Sequence, residues 1–262
     1  MLFELEAIGG PLARRLAARR QDSAQFAWGE LQSRAGRPGA ESARVVWTQS
    51  AFSEYASAAQ FAEIAAGLLA VGAPIDLVAA AGDFIVDELF HTELSAEVAM
   101  ALGGAVPLEV DLTRLVRPPA ATEPLLAVAE RIVRTSCVGE SLTVAVLLAA
   151  KTAAEPSVIR DVIGRIVRDE VEHAELGWTF LDWAGERLSP ADRAHLGRAA
   201  SAAIRAFAPL FSAECADYGA LGVMSCKHFD PVFEQALAKR VIAPLAERGI
   251  PASAAPAECF TE

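Results

Sequence analysis

The sequence predicts an all-α protein: a four-helix bundle with one long crossover, preceded by an N-terminal helix and followed by two more. Three observations carry this prediction. Long stretches repeat apolar residues at helical spacing and show little strand-type alternation. Alanine is abundant and aromatic residues are only 7% of the chain, a composition that favours helices. Strong breakers cluster at a few points, and the uninterrupted runs between them are long enough for bundle helices.

Taken in order, residues 1–43 form an accessory segment, with a helix expected over Pro11–Ser33 and a breaker at Gly36-Arg37-Pro38-Gly39. Arg14, Arg15, Arg19 and Arg20 lie on that helix beside Leu12 and Leu16 and read as a solvated face. Residues 44–187 form the bundle. Its first helix runs from about Ser42 to Leu69 and stops at Gly72-Ala73-Pro74, where glycine followed by proline ends a helix. The second runs from about Ile75 to Leu102. The stretch Ala105–Glu123, with Pro107, Pro118 and Pro119, reads as the crossover. A third helix covers about Leu125–Ala154, and Glu155-Pro156 links it to a fourth over Ser157–Arg187. Residues 188–262 are a C-terminal extension packing on the bundle. It holds a helix opened by Ser189-Pro190 and running to about Ala213, a loop near Gly219–Gly222, and a last helix over Asp230–Arg248. Pro209 and Pro244 should interrupt or bend these two helices, and the tail after Gly249 should be loose.

Bulk properties exclude some partners. A formal net charge of -11 opposes binding to nucleic acid or an anionic membrane. The longest nearly apolar runs, such as Leu142–Ala150, are too short to span a bilayer, and Met1-Leu2-Phe3-Glu4 does not open a signal peptide. Cys137, Cys215, Cys226 and Cys259 form no CxxC pair and read as free thiols in a reducing compartment. A cytoplasmic location is the expectation.

One phrase occurs twice: Asp87-Glu88-Leu89-Phe90-His91 and Asp169-Glu170-Val171-Glu172-His173. Residues three apart on a helix share a face, so each copy aims a carboxylate and an imidazole at one point. Two such helices face to face can hold two metal ions. A di-metal bundle site also takes one Glu from each of the other two helices. Antiparallel partners at equal depth should be centred on the turn joining their helices. Glu140 with Glu170 is centred on residue 155, the link itself, whereas Glu130 would be centred inside a helix. Glu54 with Glu88 is centred on residue 71, beside the Gly72 turn, and fits better than Glu63. Asp87 and Asp169 precede the histidines by four residues and can each take the second ring N–H of the opposite helix's imidazole, which fixes its tautomer.

These residues resemble the ferritin-like di-iron carboxylate superfamily over about residues 45–187. The wording around the single glutamates, Glu54-Tyr55-Ala56-Ser57 and Cys137-Val138-Gly139-Glu140-Ser141, is similar to small bacterial ferritin-like proteins of largely unassigned function. The resemblance carries over Glu54, Glu88, His91, Glu140, Glu170 and His173 as the metal ligands and catalytic centre. It implies Glu88 and Glu170 as bridges and Glu54 and Glu140 as terminal ligands. Ser95 stands where a reductase small subunit of this superfamily would carry its radical tyrosine. No rubredoxin-type CxxC module is present, and storage ferritins lack the paired motif.

Hard oxygen donors with two imidazoles suit iron or manganese, so two Fe, or a Mn/Fe pair, with O2 as co-substrate are expected. The activity implied is that of an oxygenase or oxidase that hydroxylates or N-oxygenates a small-molecule substrate and draws on an external electron donor. The alternatives are a ferroxidase or iron-binding protein without organic substrate, and a structural bundle whose site has lost activity. The terminal segments suit a substrate lid or a homodimer interface. Asp192-Arg193-Ala194-His195 imitates the motif spacing but reads as an exposed first turn, and His228 beside Cys226 as incidental. Glu93, Glu97, Glu172 and Glu175 should point away from the site; Phe84, Phe90 and Trp178 read as core. Gly139 leaves room beside the metals or permits close helix packing, and Cys137 either lines a pocket or fills the core.

Overall fold

The computed structural model describes residues 1–18, 25–207, 219–223 and 226–253, with the side chains of 226–230 excepted. The fold is all-helical; among the described residues the only extended pairing is an isolated antiparallel bridge between Leu2 and Glu109. Short helices α1 (Gly10–Ala17) and α2 (Gly29–Gln32) precede four long ones: α3 (Ala40–Ala70), α4 (Ile75–Ala101), α5 (Pro124–Ala153) and α6 (Ser157–Ala184). Helix α7 (Pro190–Ala206) follows. Helix α8 runs through Cys226–Ala236, a π-helical stretch Leu237–Ile242, and Ala243–Glu247.

The turns follow from backbone chemistry. Gly72 takes φ 61°, a left-handed conformation open to glycine without strain, and Pro74 then caps α4 from outside its first turn. Glu123 caps α5 by accepting the Leu126 N–H at 2.7 Å, with Pro124 at the first helical position. Helix α6 has no cap of its own. Glu30 of α2 supplies one, accepting the Ser157 and Val158 N–H groups at 3.0 and 3.3 Å and the Ser157 hydroxyl at 2.7 Å. Ser189 and Asp192 form a reciprocal capping box on α7.

Helices α3 and α4 pack along their whole length, α4 meets α6, and α5 lies against α3 and α6 with α7 and α8 on its other side. Helix α5 is long and apolar enough to cross a membrane, contrary to the expectation that no segment was, because it continues as one helix well beyond the uncharged run Leu142–Ala150. Its surroundings of helices account for the apolar composition, as for a core helix. Two apolar clusters fill the interior. One gathers Phe61, Phe84, Ile132 and Phe180, and the other Trp47, Phe90, Leu94 and Ile163. Glu54, Glu88, Glu170 and His173 fall in sequence between residues of the two clusters.

Three expected elements differ. Among the described residues the helix expected over Pro11–Ser33 is represented by α1 and α2; α1 buries no residue and Leu12 is exposed, so its apolar stripe finds no covering partner. Helix α5 is not uniformly α-helical: Val133–Glu140 is π-helical. The last helix begins at Cys226 with Pro231 inside it, and its π-helical stretch directly precedes Pro244, where an N–H is missing from the ladder. Arg19, Arg20, Pro209, the end of α7 toward Ala213, Cys215 and Cys259 lie outside the described residues, as do the side chains of Cys226 and His228.

Candidate metal centre

Helices α3, α4, α5 and α6 each bring one glutamate to a common interior point, and α4 and α6 each add a histidine one turn further on. Glu88, His91, Glu170 and His173 have no solvent exposure, Glu140 is buried, and Glu54 is half-buried. One ligand atom from each of Glu54, Glu88, His91 and Glu170 lies within 4.8 Å of the others. The arrangement is crossed. His91 Nδ1 lies 3.7 Å from Glu88 of its own helix and 3.3 Å from Glu170 of the facing one. His173 Nδ1 lies 2.9 Å from Glu170 and 3.1 Å from Glu88. Both central glutamates therefore stand between both imidazoles, whose ring centroids are 5.8 Å apart. Glu54 interacts with Glu88, Glu170 and His91, while Glu140 interacts with Glu170, Glu88 and His173.

The outer nitrogens turn to the aspartates of the opposite helix, as the spacing predicts. His91 Nε2 is 2.9 Å from Asp169 on α6, and His173 Nε2 is 3.8 Å from Asp87 on α4. Both aspartates meet Arg165 of α6, which pairs with Asp169 and stands 3.8 Å from Asp87. Apolar rings close the His173 side: Phe84 at 4.3 Å and Phe61 at 5.1 Å between centroids.

Five buried atoms of this cluster lack a hydrogen bond: the outer His173 Nε2, and four that face the centre, both Glu88 oxygens, Glu170 Oε1 and His91 Nδ1. Unpaired acceptors are costly in a low-dielectric interior, and a cation among them would satisfy all four. Without a cation, protons fill the role. Burial, and then the Glu88 and Glu170 charges, hold the Glu54 and Glu140 carboxyls well above the usual range. Burial alone would lower both imidazole pKa values, but the facing carboxylates outweigh it and raise them well above normal: Glu170 and Glu88 on His91, and Asp87, Glu170 and Glu88 on His173. Burial likewise opposes ionisation of Glu170, yet its bonds to His173 and His91 hold it below the carboxylate range. The cluster fits hard cations with oxygen-rich ligation.

The π-helical stretch ends on Glu140. Gly177 of α6 lets it approach, since a Cβ there would sit 2.7 Å from Cys137 Sγ and 3.0 Å from the Cys137 backbone nitrogen. Close packing thus belongs to Gly177, while Gly139 is half-buried and a Cβ on it would meet only the Arg134 carbonyl, at 3.4 Å. Cys137 is a fully buried free thiol in the apolar cluster, and burial pushes its pKa far up, so it is core. Phe84 and Phe90 are buried and Trp178 packs on the core; Glu97, Glu172 and Glu175 are exposed and Glu93 is half-buried.

Both rejected glutamates lie elsewhere. Glu63 is half exposed and pairs with Arg131 at 3.1 Å. Glu130 is buried and holds the crossover, accepting the Ala120 and Ala121 N–H groups at 3.0 and 3.1 Å. A further partner corrects the reading of His195 as exposed: His195 Nε2 lies 2.8 Å from Glu130, and the imidazole is largely covered. Only the packing of α7 on α5 creates that pair, and no local spacing announces it. Arg165 was also missed, because its two partners sit on different helices.

Comparison with protein-family models, curated proteins and solved structures returned no match to this chain.

Proposed function

We propose that this chain is a ferritin-like di-metal bundle that binds two iron ions, or a Mn/Fe pair, and oxidises a small organic molecule with O2. The single observation that carries the reading is the position of Glu88 and Glu170. Each is fully buried, each faces both imidazoles, and three of their four oxygens, both of Glu88 and Oε1 of Glu170, lack a hydrogen-bond donor. A bound metal pair would supply electrons to O2 and Lewis acidity at the site.

The remaining chemistry belongs to the chain. Glu88 and Glu170 present one oxygen to each half of the site, which suits them to bridge two cations. Glu54 and Glu140 flank the pair as terminal ligands. Asp169 lies within hydrogen-bond distance of His91 Nε2 and Asp87 faces His173 Nε2 at 3.8 Å, so each outer nitrogen meets a carboxylate and the inner nitrogens turn toward the centre. Phe61 and Phe84 keep water from the His173 side, which limits side reactions. Hydroxylation or N-oxygenation of the substrate, with an external electron donor, completes the proposed activity.

The test is metal content by elemental analysis, followed by anaerobic reduction and O2 exposure under stopped-flow absorbance. About two irons per chain, as the bundle motif requires, with a transient visible band supports the reading. Two irons that oxidise without a transient and mineralise added ferrous iron would replace it with iron handling. Absence of stoichiometric metal would overturn it.

A further inference from the structure

We infer that Arg165 is a positioning residue shared by both halves of the centre, a single guanidinium that sets the orientation of His91 and His173 together. The inference deepens the di-metal reading and rests on it for its consequence in metal binding. Arg165 sits on α6 one turn before Asp169, with its side chain 11% exposed and its guanidinium 5.4 Å from the Phe90 ring centroid. One edge pairs with Asp169 of its own helix, and the other stands 3.8 Å from Asp87 of α4. Asp169 continues to His91 at 2.9 Å, on α4, and Asp87 continues to His173 at 3.8 Å, on α6. The path from Arg165 therefore branches to both imidazoles and crosses between the two helices on each branch.

An ordinary surface pair between residues four apart would not reach a second helix, and it would be solvated. Here the guanidinium lies over an aromatic ring, where displacing it would leave two partly buried carboxylates facing each other. The planar fork of arginine can serve two carboxylates at once in fixed directions, whereas a lysine ammonium is a point charge on a flexible stem. Arg165 thereby fixes the two carboxylates that the outer ring nitrogens face. The two inner nitrogens then face Glu88 and Glu170 in the same register. Loss of Arg165 should be felt in both halves, although it touches neither histidine.

The test uses the full-length chain labelled with 15N-histidine and long-range 1H–15N correlation of the ring nitrogens, assigned through His91→Gln and His173→Gln. Asp169→Asn should move the His91 signals alone and Asp87→Asn those of His173 alone, while Arg165→Gln moves both. A parallel titration with Co2+ should show about a tenfold loss of affinity in Arg165→Gln, the scale typical of residues that orient metal ligands. Arg165→Gln that folds, by circular dichroism, and moves one imidazole or neither overturns the inference. Should that variant not fold, Arg165→Lys carries the test: one imidazole keeps its wild-type signals and the other shifts, and two unchanged imidazoles overturn the inference. Wild-type protein that takes up no Co2+, yet whose imidazoles both respond to Arg165, would remove the di-metal reading and leave the coupling standing. Co2+ uptake with imidazoles indifferent to Arg165 would do the reverse.

Discussion

Each site residue sits in a different electrostatic position, and single substitutions should separate them. Glu140→Ala or His173→Ala removes a buried donor and should abolish binding of the second cation, read as metal stoichiometry. Glu63→Ala should leave two cations bound, because Glu63 is half exposed and engaged with Arg131. Protonation gives a second prediction. The metal-free cluster holds protons on Glu54, Glu140 and both imidazoles, since all four pKa values are raised. Cations must expel them, so affinity should rise with pH, and calorimetry in buffers of different ionisation enthalpy should register proton release. The same shifts fix the sign for folding. A raised pKa gives stability that is present below the unfolded value, about 4.3 for Glu and 6.5 for His, and lost as pH rises through the folded value. The metal-free chain should therefore melt at lower temperature as pH rises above about 4.3, where the two carboxyls begin to lose their contribution, and further above about 6.5, where the imidazoles do, and metal should flatten that dependence.

At the scale of elements, α5 is the helix on which the site depends most. Its π-helical stretch delivers Glu140, and Gly177 of α6 gives that stretch its room. Gly177→Ala would force the Cys137 backbone aside, an overpacking that should cost about 1–3 kcal/mol in thermal or urea unfolding and weaken metal binding with it. Glu130 acts on the same helix without touching the site. Glu130→Ala strands the Ala120 and Ala121 N–H groups, each an unsatisfied donor worth about 1–3 kcal/mol if it stays dry. Stability should fall while two cations remain bound, since the crossover is loosened and the ligands are not. The four long helices were legible in the sequence because each has sustained periodicity and breakers at both ends. The π-helical stretch was not, since a reading at 3.6 residues per turn carries no mark for an inserted residue. Helix α1 was overextended for a related reason: its apolar stripe matched a pattern, but Leu12 had nothing to cover it.

Across the whole molecule, the same division recurs between what neighbours in sequence encode and what only the assembled fold creates. The six ligand candidates and the two aspartates were readable because helical spacing and the symmetry of an antiparallel turn act over short range. Arg165 and the Glu130–His195 pair join distant helices, and no spacing rule reaches them. The N-terminal segment is likewise tied in over long range, through Glu30 on the α6 N-terminus and Phe3 against Phe52 and Tyr55 of α3, the residues flanking Glu54 closely in sequence.

Glu54 is the most exposed of the six: Glu140 keeps only 6% exposure and the other four none. The two proposed cation positions, nearly equivalent in their donors, would thus be unequal in their traffic with the outside. Chelator added to loaded protein should strip one equivalent quickly and the other slowly, and Glu54→Ala should erase the fast phase. A protein filled in steps with two different ions would then keep a memory of the order in which they arrived.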